Sequence, residues 1–122
     1  ASDALRAFGH ALAADHVWHQ RLTGGPPPET VWPDLDLAGC RALLARTTAD
    51  WRAFLGTADL DAEVAYHNTR GEPFSTRVAD ILDHVLLHGA HHRGQANLAI
   101  RAAGGTPPTL DFIRWVRLGA PD

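Results

Sequence analysis

The chain has 122 residues, 11 basic and 14 acidic side chains and a formal charge of -3. That length suits one domain around a single core, residues 1–122 together, and the charge offers no footprint for nucleic acid. With one cysteine no internal disulfide is possible, and no apolar run approaches the roughly 20 residues of a membrane span.

The expected compartment is therefore the cytoplasm, with no membrane partner. No signal-peptide pattern opens the chain. The sequence begins at Ala1 and holds no Met, from which we expect a processed, trimmed or incomplete product. Its basic residues are all Arg, which with abundant Ala, Gly and Pro fits a GC-rich bacterial genome.

In chain order, Ala4 to Leu22 is helical in pattern, capped by Ser2 or Asp3 and ended by Thr23-Gly24-Gly25-Pro26-Pro27-Pro28. After a loop to about Pro33, Asp36 can cap a second helix to Leu55, stopped by Gly56. Its core candidates are Leu43, Leu44, Trp51, Phe54 and Leu55. Cys40 at its start reads as a buried, inert thiol in preference to a nucleophile. Between Ala62 and Phe74 the helical pattern fails, and two short extended pieces turn near Arg70-Gly71. A third, long helix follows to about Ala103, with Ser75 or Thr76 as its cap. Gly104-Gly105 and Pro107-Pro108 close it, and Thr109 and Asp111 introduce a short last helix carrying Leu110, Ile113, Trp115 and Val116.

The third helix holds four of the eight histidines: His84, His88, His91 and His92. On a wheel of about 100° per residue centred on Val85, the residues Val78, Ile81, Ala96 and Ala99 fall within roughly 40°. His92 lies about 20° and His88 about 60° from that centre, whereas His84 and His91 lie about 100° and 120° away. His88 and His92 are thus the pair expected to face the interior. Two imidazoles one turn apart can share one transition metal if a third ligand arrives from elsewhere. The first helix offers His10, His16 and His19. His10 shares a face with Ala13, Ala14 and Val17, while His16 and His19 lie on another side, where His19 can pair with Asp15. These faces leave the third ligand open. The pattern lacks the His-Glu-x-x-His of common zinc peptidases, any Cys-x-x-Cys and any glycine-rich phosphate loop.

The first helix, with its His…Ala-Asp…Trp…Arg-Leu pattern, and the run His-His-Arg-Gly-Gln at residues 91–95 resemble the DinB-like (YfiT-like) metalloprotein family. Asn68-Thr69-Arg70-Gly71 and the Pro107, Pro108, Asp111 pattern fit it as well. This family is unrelated to the DNA polymerase that shares the name and is similar in fold to mycothiol-dependent isomerases and bacillithiol transferases. The resemblance implies an all-α, up-and-down four-helix bundle whose first helix is absent here, with a short hairpin between helices. It implies His10, His88 and His92 as ligands of one divalent metal, zinc or nickel first. The implied chemistry is a transfer or isomerisation using a low-molecular-weight thiol, with an electrophile as the other substrate. Asp15 and Gln95 are then candidates for orienting a ligand ring, and Arg93 for gripping a substrate carboxylate. A metal-binding, stress-associated module without catalysis and a metal-dependent hydrolase are the alternatives. The short chain, the absent helix and the four Trp residues lead us to expect a homodimer.

Overall fold

The computed structural model describes residues 2–121. Its elements are α1 (Asp3–Thr23), α2 (Leu37–Leu55), β1 (Glu63–His67), β2 (Pro73–Arg77), α3 (Val78–Ala102) and α4 (Phe112–Arg117). The chain is mainly helical, with one small two-stranded sheet.

The ends of the helices follow local chemistry. Ser2 caps α1 by accepting from the Leu5 amide, and Gly24 ends it in the left-handed region at φ 72°, where a side chain would be strained. Asp36 caps α2 through the Gly39 amide, and Asp111 caps α4 through the Ile113 amide. The expected cap of α3 is not used. Ser75 and Thr76 belong to β2, where they pair with Ala65 and Val64 of β1. The strand instead runs directly into the helix. The Val78 and Ala79 amides at its start donate to the carbonyls of Ala62 and Leu60. Backbone from the loop before β1 thus satisfies donors that a side-chain cap would otherwise meet.

The hairpin turns where expected. The Asn68 side-chain oxygen accepts from the Arg70 and Glu72 amides, and Gly71 takes φ 78°.

α1 is the central element. It packs against α2 on one side and α3 on another, and β1 also leans on it. α1 and α3 run antiparallel, because His10 meets His88 and His92 while Trp18, two turns further along α1, meets His84. The buried core is built from small residues of α1 (Ala7, Ala11, Ala13, Ala14) with Leu12 and Val17 of the same helix, Cys40 of α2, and Val78, Ile81 and Ala96 of α3. Small side chains allow α1 and α3 to approach closely, which brings histidines on facing helices within reach of one ion.

The core role expected along α2 is only partly present. Leu44 and Leu55 are exposed, whereas Cys40 and Thr47 are buried. α2 touches only α1 extensively, so its apolar arc is wider than the face it has to cover. The apolar residues of α4 are likewise exposed, and so are Leu86, Leu87 and Leu98 on α3. Among the described residues no helix is long and apolar enough to cross a membrane.

Candidate metal centre

His10, His88 and His92 converge between α1 and α3. Each offers one ring nitrogen, and these nitrogens all lie within 4.8 Å of one another. His10 and His92 are buried and His88 is half-buried. The ring centroids of His10 and His92, and of His88 and His92, are each 4.4 Å apart. His84 and His91 are exposed. His84 sits edge-on to Trp18, and His91 leans on His92 from outside.

Two of the three rings have a fixed tautomer. His10 Nδ1 lies against the Val31 carbonyl. A carbonyl only accepts, so Nδ1 carries the proton and Nε2 keeps its lone pair. His92 Nδ1 is 2.7 Å from Gln95 Oε1, so His92 also donates from Nδ1 and presents Nε2. The Gln95 amide then donates to His91 Nε2 at 3.2 Å. Holding the outer nitrogen of a ligand ring in this way fixes the ring and raises the basicity of the other nitrogen. His10 is also braced by Trp32, whose ring stacks on it at 3.7 Å and 6° between planes.

Electrostatics favour the neutral form of His10 and His88. Burial pushes His88 down to about 4, and His92, His10, His84 and His91 add to the shift. Burial also lowers His10; the Val31 hydrogen bond opposes this and His92 adds to it. A protonated imidazole cannot bind a metal, so the lowered values favour the ligand form.

The remaining predicted residues lie on this frame as follows. Gln95 touches His92 directly. Arg93 folds back along α3 so that its guanidinium lies over Gly89, where an added Cβ would come within 2.7 Å of Nη1. Its charge acts on Asp15, whose carboxyl is nevertheless pushed up to about 6, burial being the larger effect. Asp15 and Arg93 thus influence each other electrostatically. His19 meets Trp51 and Phe54 edge-on in place of an ion pair with Asp15. Cys40 is fully buried with its thiol pushed up by burial and by Asp36, the reverse of an activated nucleophile.

Trp32 and the Val31 carbonyl were invisible to reasoning along helices. They belong to the Pro-rich loop after α1, and the only sequence signal was a Trp among turn residues.

The arrangement suits a divalent transition metal. Three imidazoles, two of them with the lone pair directed by their partners, form a donor set favoured by zinc, nickel and copper. Three protein ligands leave coordination positions open. Neither the curated proteins nor the solved structures compared with the chain gave a match. The model of the DinB family matches residues 2–120. Matched over nearly its whole length, and carrying a three-histidine cluster between its first and third helices, the chain belongs to the DinB family.

Proposed function

We propose that this protein binds one divalent ion, zinc or nickel, through His10, His88 and His92, and that it catalyses transfer or isomerisation with a low-molecular-weight thiol. The observation that carries the reading is the convergence of three imidazole nitrogens within 4.8 Å on facing helices. A bound ion there supplies a Lewis acid able to lower the pKa of a thiol or a water.

The chain's own groups supply the rest. Val31 and Gln95 hold the rings of His10 and His92 in the tautomer that leaves Nε2 free. Trp32 covers one face of His10 and narrows the approach of water. Asp15, with its carboxyl near 6, is able to take or release a proton close to neutrality. We further read the helices as the family's up-and-down bundle, with the exposed side of α3 covered by a second copy, and the compartment as cytoplasmic. The antiparallel α1 and α3, the exposed leucines and the single free cysteine support these readings.

Metal analysis of purified variants tests the site. His92→Ala is expected to lower zinc or nickel content sharply, and His84→Ala or His91→Ala to leave it nearly intact. An empty site in His91→Ala beside a full one in His92→Ala would overturn the assignment. Thiol consumption by metal-loaded protein, screened with several cellular thiols and an electrophilic chloroarene, tests the reaction. Equal rates for the wild type and His92→Ala would refute it.

A further inference from the structure

Beyond the histidine cluster, the C-terminal end of α1, the loop that follows it and the hairpin line a half-open cavity of about 770 Å³. This is the size range of sites for small organic ligands. Arg21 lines it, and its surroundings are unusual for an arginine. Its Cζ lies 4.4 Å from the centroid of the Trp18 ring and 5.3 Å from that of Tyr66. Among the described residues no carboxylate forms an ion pair with it. Burial lowers its pKa, yet a guanidinium remains charged at any physiological pH. Trp18 and Tyr66 meet edge-on with centroids 5.2 Å apart, so this half-buried cation rests against one side of the aromatic pair, and its N–H fork beyond those ring contacts is left for another partner.

We infer that this cavity is a binding site for the carboxylate end of a small-molecule ligand, gripped by Arg21. The fork of a guanidinium matches the two oxygens of a carboxylate. Arg21 is the one guanidinium among the lining residues, and the chain has no Lys. One cation suits a monoanionic carboxylate better than a phosphate dianion. Gln20, Thr30, Asn68 and Thr69 line the same space, as do the Glu29 carboxylate and the His67 imidazole, so the ligand beyond its carboxylate meets polar groups, one of them acidic, and is itself polar.

The cavity and the histidine cluster share a wall. Val31 lines the cavity, and its carbonyl holds His10. Val17, also in the lining, stands two turns beyond His10 on the same face of α1, about 10 Å along the helix. A molecule anchored on Arg21 therefore has to be extended for its other end to reach the three histidines. This second contact rests on the proposed metal function, whereas the carboxylate grip does not.

The test separates the two. Metal-free protein is titrated calorimetrically with S-methylglutathione, an extended, amide-rich molecule of single net negative charge with a carboxylate at each end, one ammonium and a blocked sulfur, with its diethyl ester, and with inorganic phosphate. Saturable binding by the wild type is expected, weakened by at least about tenfold for the ester and for Arg21→Gln, the scale of a lost charged hydrogen bond. Arg21→Lys keeps the charge and the stem but not the fork, and is expected to lose less. Circular dichroism and a cooperative thermal transition like the wild type's, for both Arg21 variants, establish that they are folded. His92→Ala is expected to bind the probe as the wild type does, so failure of the metal reading leaves this result standing. No binding by the wild type, equal binding of acid and ester, equal binding by folded Arg21→Gln, or competition by phosphate at matching concentration would each overturn the inference.

Discussion

Replacing Asp15 with Asn tests the electrostatics of the interior. The carboxyl is raised from 3.8 to about 6 because burial disfavours its charge more than Arg93 favours it. A raised acid behaves oppositely to the usual paired carboxylate. In the unfolded chain Asp15 ionises near 3.8, while in the folded protein it holds its proton to about 6. Between those values the unfolded state releases its proton first, so stability falls as pH rises through the window and stays reduced above it. At about 1.4 kcal/mol per pKa unit the full cost is about 3 kcal/mol. Solvent screening around a half-buried side chain reduces this to about 1–2 kcal/mol. Asn is close in size and uncharged, so it avoids the cost. Asp15→Asn is therefore expected to be more stable than the wild type at pH 7, by several degrees in Tm. The advantage should vanish by about pH 4, where the wild-type carboxyl is protonated in the folded state. His88 has the opposite dependence: its lowered pKa costs stability as pH falls through the window from 6.5 to about 4. It is present in both proteins and cancels in the difference. Thermal and denaturant unfolding of metal-free protein at the two pH values measures the effect. An advantage of equal size at pH 4 and pH 7, or a loss at pH 7, would refute the reasoning.

Gln95→Leu removes the acceptor that holds His92 Nδ1 and is expected to weaken zinc binding by about 10–100-fold; an unchanged affinity in a competition titration would show that the ring is fixed by packing alone. Ile81, 1 % exposed between α1 and α3, should cost about 2–5 kcal/mol when cut to Ala, and a loss under about 1 kcal/mol by denaturant titration would mean the surrounding helices close the gap. We propose a homodimer through the outer face of α3, where Leu86 is 67 %, Leu87 72 % and Leu98 69 % exposed. Sedimentation at micromolar concentration should give a dimer that Leu87→Glu dissociates, and a monomeric wild type counts against it.

Helix existence was legible because the chain advertises its ends. Ser2, Gly24, Asp36 and Asp111 act as the caps or stops that their side chains suggest. The start of α3 was not legible, because its first amides are met by backbone carbonyls of Leu60 and Ala62, and backbone atoms leave no mark in a sequence. Leu44 and Leu55 illustrate a second limit. Periodicity identifies an apolar face but not whether a neighbour covers it, and α2 has one extensive neighbour among the helices where a closed bundle offers two.

The site divides along the same line. His88 and His92 could be picked from four histidines because one helix sets their angle to Val78, Ile81 and Ala96, all buried together with His92. His10 could not be separated from His16 and His19 by its own helix. What distinguishes it is the partner each face meets: α3 histidines for His10, Trp51 and Phe54 of α2 for His19. The same holds for Arg21. Its place in a helix reads as a basic residue near the C-terminal end, a favourable position against the helix dipole. Only the packing of Trp18 and Tyr66 against it, with no ion pair to it among the described residues, turns it from a surface charge into a recognition group. Residues whose role depends on one helix are readable in advance; those whose role depends on what lies across a gap emerge only when the helices are assembled.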